Sequence, residues 1–328
     1  MGNFHNMHIN KILVTGASGM VGGTILRMLV KKLPDVKIRG IWYSTRPDFI
    51  HRNIEYLNAD LTQRDECRKV VCGCDMAIMA ASVTAGNLMP ASHIGKQVTD
   101  NIAMDSFLLE AIAGSTMQKV IYLSSGTVYQ NKNGKLKEKE LDWNKDPPAP
   151  YFGIGWAKRI AEKLCEFWSV KANIPIVILR CSNIYGPGAI FDPQRSNFIP
   201  ALIRKAVDRE SPFRVYGTAG VRRDVLFVDD AAEAVVKLLK SRRIKGGVFN
   251  LCYGHSITVG GVVRLVLSAT AYSDAKVIYC GGRTSVYRRE FDGKLLQKMI
   301  GWKPSTSPEE GIKKTVLWWI KNKERWCK

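Results

Sequence analysis

Lys11-Ile12-Leu13-Val14-Thr15-Gly16-Ala17-Ser18-Gly19-Met20-Val21-Gly22-Gly23 is the stretch that decides the fold. Its first five residues form a short apolar run of strand length. The apolar positions that follow, Ile25, Leu26, Leu29 and Val30, recur at helical spacing and stop before Pro34. Between strand and helix lies Gly16-x-x-Gly19-x-x-Gly22. A glycine-rich turn lets backbone N–H groups approach a pyrophosphate, and the helix N-terminus adds its partial positive charge. Spaced glycines alone are a weak signal, because ordinary turns also use them. Their strand–turn–helix setting makes them a dinucleotide loop, with contacts expected from Gly16, Ser18, Gly19, Met20, Val21 and Gly22.

Working outward, strands are expected at 37–43, 53–57, 76–81, 120–125 and 176–180, with a long helix at about 98–113. Unbroken apolar strands alternating with helices imply an α/β fold with a parallel, doubly wound (Rossmann) sheet. After Arg180 the pattern loosens into loops and short elements at 183–188, 198–207 and 213–217, which suits a smaller substrate lobe. Residues 225–239 return to strand-then-helix character and are expected to cross back to the sheet. The expected division is therefore 1–180 plus about 225–252 for the dinucleotide domain, and about 181–224 plus 253–328 for the lobe. No internal repeat or low-complexity linker interrupts it.

The chain has 328 residues, enough for one large α/β unit with an appended lobe, and its 46% apolar and 24% charged content is that of an ordinary globular protein. No apolar run approaches the ~20 residues of a membrane span. The first ten residues lack the apolar core of a secretory signal, so a cytoplasmic location with reduced thiols is expected for the eight scattered cysteines. Cys72-Gly73-Cys74 is one residue short of a redox pair, and the five dispersed histidines have no ligand spacing, so no metal is expected. The net charge of +20 is unusual, but its small clusters at 132–139, 242–245 and 313–328 form no recognition motif. A basic solvated surface is the plain account; a nucleic-acid partner is disfavoured, and the charge alone keeps it open.

Cofactor choice turns on the end of the second strand, Gly40-Ile41-Trp42-Tyr43-Ser44-Thr45-Arg46, which has no carboxylate before Asp48. An acidic residue there would hold a ribose 2′-hydroxyl, whereas a cation suits a 2′-phosphate. Arg46, with Ser44 or Thr45 as hydroxyl donor, favours NADP(H), with NAD(H) as the alternative; Arg46 as a mere surface cation also stays open. Asp60 and Leu61, ending the third strand, are placed to meet the adenine.

These stretches resemble the extended short-chain dehydrogenase/reductase family, in its nucleotide-sugar epimerase/dehydratase group. Other stretches carry the resemblance along nearly the whole chain: Leu123-Ser124-Ser125-Gly126-Thr127-Val128-Tyr129, Arg180-Cys181-Ser182-Asn183-Ile184-Tyr185-Gly186-Pro187, Arg223-Asp224-Val225-Leu226-Phe227-Val228-Asp229-Asp230, Phe249-Asn250-Leu251 and Gly301-Trp302-Lys303-Pro304. Within the group the chain is most similar to the NADP-dependent epimerase/reductases of the GDP-L-fucose synthase type. The resemblance implies that Ala80, Ala81 and Ser82 face the dinucleotide and that Ser125 hydrogen-bonds the reacting sugar oxygen. It also implies that Lys158 binds the nicotinamide ribose while lowering the pKa of an acid/base tyrosine, and that Asn183, Arg223 and Arg283 hold the sugar nucleotide's phosphates.

The departures are as informative. The tyrosine's place, four residues before Lys158, is taken by Ile154. Thr127 stands where that type has an epimerising cysteine, and Asn197 stands at or near its histidine. Gly126-Thr127 lacks the Asp-Glu pair of the dehydratases and is more like the 4-epimerases. Ile154 can neither donate nor accept a proton, and losing a positioned acid/base removes a factor of ~100 to 10,000 in rate. Three accounts stay open: Tyr151 reaches in as a substitute, another group moves the proton, or the protein binds its nucleotides without efficient turnover. The expectation is an NADP-dependent epimerase or 4-keto reductase of a nucleotide-sugar hexose, GDP-linked by slight preference. The alternatives are a 4-epimerase or a degenerate nucleotide- or RNA-binding relative. The resemblance implies a homodimer through the long helix and the lysine helix; apolar stripes at helical spacing (Phe107, Leu108, Ile112 and Ile160, Leu164, Phe167, Trp168) suit it, and core packing also accounts for part of both.

Overall fold

Alternation along the first strand sets the layers: Ile12 and Val14 point to one face of the sheet, Leu13 to the other, and all three are fully buried. The structure, a computed structural model, describes residues 9–84, 91–132, 134–281 and 286–326. In chain order its elements are β1 (Lys11–Thr15), α1 (Met20–Lys32), β2 (Lys37–Trp42), β3 (Ile54–Asn58), α2 (Arg64–Val71), β4 (Met76–Met79), α3 (Ala91–Ala113), β5 (Lys119–Ser125), α4 (Phe152–Lys171) and β6 (Ile176–Cys181). They continue with β7 (Asn183–Tyr185), α5 (Phe198–Val207), β8 (Phe213–Tyr216), β9 (Arg222–Phe227), α6 (Val228–Lys240) and β10 (Gly247–Leu251). The last are β11 (Ser256–Thr258), α7 (Val259–Ala269), β12 (Val277–Cys280), β13 (Arg288–Arg289), α8 (Lys294–Ile300) and α9 (Pro308–Trp326).

Seven strands form one parallel sheet in the order β10-β6-β5-β4-β1-β2-β3. It is the doubly wound α/β sheet expected. One face buries Ile25, Leu29, Val235 and Leu239 of α1 and α6; the other buries Val70 of α2, Leu109 of α3 and Ala161 of α4. Each large apolar side chain so buried contributes about 1.5–3 kcal/mol. The chain winds outward in both directions from the β1/β4 boundary, which opens a crevice at the carboxyl ends of those strands.

A second sheet joins β11, β9 and β13, with β7 also paired to β9, and β8 pairs separately with β12. Around it a third core includes Phe191, Val225, Val262 and Trp319, with the Phe191 and Trp319 rings stacked 4.1 Å apart. The return to the large sheet differs from expectation. Residues 225–227 lie in β9, inside the small sheet, and it is α6 and β10 that cross back. An apolar strand pattern does not say which sheet the strand joins. Core packing takes the stripe on α3, where Leu108 and Ile112 are buried, whereas Ile160 and Phe167 of α4 are exposed. Among the described residues no helix is long and apolar enough to cross a membrane.

Candidate active site

The dinucleotide loop sits in the crevice between β1 and β4. Gly16 has φ +70°, and a Cβ there would come within 3.0 Å of the Ala80 carbonyl and the Ala81 backbone. A Cβ on Gly22 would overlap the Gly16 carbonyl. Thr15 Oγ1 accepts the N–H groups of Ala80 and Ala81, both at 3.0 Å, and so ties the two strand ends together. Gly19 caps α1 without any side-chain hydrogen bond, which leaves the first N–H groups of that helix available to an anion. These residues fit a dinucleotide pyrophosphate.

At the end of β2, Ser44 and Arg46 are exposed, and Arg46 has no partner among the described residues. Asp60 turns Oδ1 to the Thr62 N–H and hydroxyl, at 2.9 and 2.7 Å. The Leu61 side chain packs in the core, so only its backbone faces this strand end. Ser82 donates to Asn101 Oδ1 at 2.9 Å, and the buried Asn101 also receives the Val83 N–H.

Ser125 ends β5 and caps a short turn at Gly126–Val128, its Oγ accepting the Thr127 N–H at 3.2 Å. The Thr127 hydroxyl is buried with no partner among the described residues. Ile154 is in the first turn of α4, half-buried, with Lys158 one turn later on the same face. Two glycines bring this helix start close to its neighbours. A Cβ on Gly153 would lie 2.7 Å from Val98 Cγ2 of α3, and one on Gly155 would lie 2.7 Å from the Thr127 carbonyl. Lys158 Nζ donates to Tyr122 Oη at 2.9 Å and pairs with Asp105 Oδ2 at 3.2 Å, while Tyr122 donates to the same oxygen at 2.7 Å. Burial, then the Asp105 charge, hold the Tyr122 phenol well above its usual pKa, so it stays a donor. Behind this group Arg180 pairs with Glu162 at 2.7 Å, and Glu162 also accepts from Ser124.

Across the crevice, Asn183 is exposed and donates to the Asp224 carbonyl at 2.9 Å. Arg223 Nη1 donates to the carbonyls of Arg222 and Val286. Arg289, which the sequence reading did not single out, is a buried cation beside them. It is only 5% exposed, lies over the Tyr151 ring at 5.1 Å, donates Nη1 to the Tyr129 carbonyl and leaves Nη2 buried without a partner. Burial first, and the Arg223 charge after it, push its pKa down to about 10, against the opposing effect of Tyr151. No carboxylate pairs with either arginine among the described residues. The signal was the adjacent pair Arg288-Arg289: strand alternation sends Arg288 out to Glu290, at 2.8 Å, and Arg289 inward. Asn197, by contrast, is exposed at the start of α5 and no hydrogen bond links it to these groups. Arg283 lies outside the described residues.

Comparison with known proteins agrees with this fold. GDP-mannose 3,5-epimerase 1 of Oryza sativa subsp. japonica is 27% identical over 321 residues, covering 94% of this chain and 81% of the relative. GDP-L-fucose synthase of Azorhizobium caulinodans is 26% identical, covering 96% and 97%. Among solved structures, UDP-glucose 4-epimerase of Thermotoga maritima with UDP-glucose has a TM-score of 0.82 at 23% identity, covering 95% of this chain and 99% of that one. UDP-glucuronic acid 4-epimerase of Bacillus cereus, in complex with UDP-glucuronic acid and NAD, has a TM-score of 0.83 at 23% identity, covering 95% and 99%. The model of the NAD dependent epimerase/dehydratase family matches residues 12–252, and the chain belongs to that family.

Proposed function

We propose that this protein is an NADP-dependent enzyme acting on a nucleotide-diphosphate hexose, by 4-keto reduction, epimerisation or both, with a GDP-sugar slightly preferred. The observation that carries the reading is Arg289, a buried guanidinium with an unpartnered Nη2 beside a second arginine. A buried guanidinium beside a second, half-buried one, neither paired with a carboxylate among the described residues, favours an anion with more than one charge, which a sugar nucleotide's diphosphate would supply. Gly16, Ser18, Gly19, Met20, Val21 and Gly22 would hold the dinucleotide pyrophosphate, and Arg46 with Ser44 the 2′-phosphate. When bound, the nicotinamide supplies hydride exchange at a sugar carbon. Ser125 would orient the sugar oxygen, and Asn183 and Arg223 would bind the nucleotide end. The two lobes would divide near 180, with the sheet completed by 247–251, and the active species would be a cytoplasmic homodimer.

A specific observation favours a second reading, binding without efficient turnover: Ile154 supplies no proton, and Lys158 is already occupied by Asp105. Thermal shift against NADPH, NADH, GDP, UDP and a short RNA, followed by turnover assays with the corresponding sugar nucleotides, separates the readings. A ligand that binds only the folded chain raises Tm. The enzyme reading expects shifts with NADPH and a nucleoside diphosphate. A shift with RNA alone would replace it by a nucleic-acid-binding role.

A further inference from the structure

We propose that Asp105 is a positioning residue that anchors the Lys158 ammonium in the protein interior, so that the cleft lacks both the acid at position 154 and the cation that would activate one. The inference deepens the functional reading above and rests on it for the cofactor, though its main test does not.

Both side chains are removed from water, Lys158 being 4% exposed and Asp105 5% exposed. Charges buried this far persist only when paired and hydrogen-bonded. Here the pair is completed by Tyr122, whose hydroxyl accepts from the ammonium and donates to the carboxylate. The other groups facing Lys158 supply no competing negative charge. Cys165 on α4 and Cys181 on β6 are held in the thiol form by burial. Glu162, one turn further along α4, spends its carboxylate on Arg180 and Ser124. Asp105 is therefore the counter-charge, brought across by the packing of α3 on α4 that Gly153 permits.

The consequence concerns the field at position 154. A lone ammonium one helical turn away would stabilise a phenolate there and lower its pKa by about 1–3 units. An ammonium paired at 3.2 Å presents a dipole whose opposing charges largely cancel at that distance. Reinstating the tyrosine alone should therefore not reinstate the acid. Arg289, over Tyr151 at the same helix start, acts on position 154 in every background. A comparison that changes only residue 105 holds that influence constant.

The test compares Ile154→Tyr with Ile154→Tyr/Asp105→Asn, both carrying tyrosine labelled with carbon-13 at Cζ, and follows the one extra resonance through a pH titration. No cofactor or sugar is needed, so a chain that binds no dinucleotide would fail the functional reading and still decide this one. We expect the new phenol to titrate at least about one unit lower in the double variant than in the single. Equal pKa values in the two would overturn the proposal. If the tyrosine variants do not fold, Asp105→Asn/Lys158→Met, which removes both charges together, decides by its NADPH affinity. A Kd within about threefold of the parent supports the inward anchoring, and a loss beyond about tenfold, meaning that the lysine reaches the ribose, rejects it.

Discussion

Arg289 lies over the Tyr151 ring, 5.1 Å from its centroid, and so joins the small sheet to the residue that opens the helix carrying Ile154 and Lys158. The same guanidinium leaves Nη2 buried and unpartnered. On the proposed reading, the nucleotide end of a substrate and the reacting end would be tied through one side chain. Tyr151, the candidate substitute acid, has its ring under a cation, a placement suited to packing.

Replacing Arg289 by Met should keep part of the contact area while deleting the charge. A charge-assisted phosphate contact contributes about 1.5–3 kcal/mol. GDP or UDP should then bind roughly 10- to 100-fold more weakly, with NADPH affinity unchanged. Calorimetric titration of both ligand classes reads this directly. Arg223→Ala should shift the same ligands in the same direction. Loss of NADPH and nucleoside diphosphate affinity together would show that the arginines only hold the lobes in register.

Arg46 is exposed at the end of β2, with no carboxylate between it and Gly40. Arg46→Ala should weaken NADP(H) by roughly 10- to 100-fold and leave NAD(H) nearly unchanged. Fluorescence titration with NADPH and NADH is sufficient. An equal effect on both cofactors, or none on either, would reject the 2′-phosphate assignment.

The large sheet was legible because its rules are local. An apolar run followed by Gly16, Gly19 and Gly22 and then a helical stripe leaves few alternatives, and the turn closes against Ala80 and Ala81 as a glycine loop requires. The site was legible as far as it follows chain order: Ser125 ends a strand, and Lys158 lies one turn beyond Ile154. What was not legible depends on meetings between distant elements. Asp105 reads as one polar position on a helix, and only the packing of α3 on α4 brings it 53 positions along the chain to Lys158. Arg289 is 138 positions from Tyr151, and β9 carries no local mark of the sheet it joins.

Asp224 provides a pH test of the lobe's interior. It is fully buried and accepts the N–H groups of Tyr253 and Gly254, both at 2.9 Å, yet burial outweighs those bonds and pushes its carboxyl up to about 6 from 3.8. A raised acid binds its proton more tightly in the folded chain. Its contribution to stability is full below the unfolded pKa and is lost as pH rises through about 4 to 6. Asp224→Asn should abolish that component. The stability of the parent relative to the variant, from urea unfolding, should grow by up to about 1.4 kcal/mol per unit as pH falls from 6 to 4. A constant difference across that range would show that the carboxyl is not raised.

The outer face of α4 gives the last prediction. Ile160 is 41% exposed and Phe167 48%, and with Trp143, Trp156 and Leu164 they line a shallow groove of about 400 Å³. A lone exposed apolar residue needs no explanation, but a contiguous patch edged by Lys163 and floored by the buried Arg159 has the character of an interface. A two-fold arrangement would set α3 and α4 of one protomer against the same helices of its partner and cover both patches at once. Light scattering at micromolar concentration should give a dimer. Phe167→Glu places a charge, and its symmetry mate, in the middle of that contact, and should yield a folded monomer, because the side chain is not part of the core, with Tm lowered only by the loss of the subunit contact. A parent that is already monomeric, or a dimer indifferent to Phe167→Glu, would move the interface elsewhere.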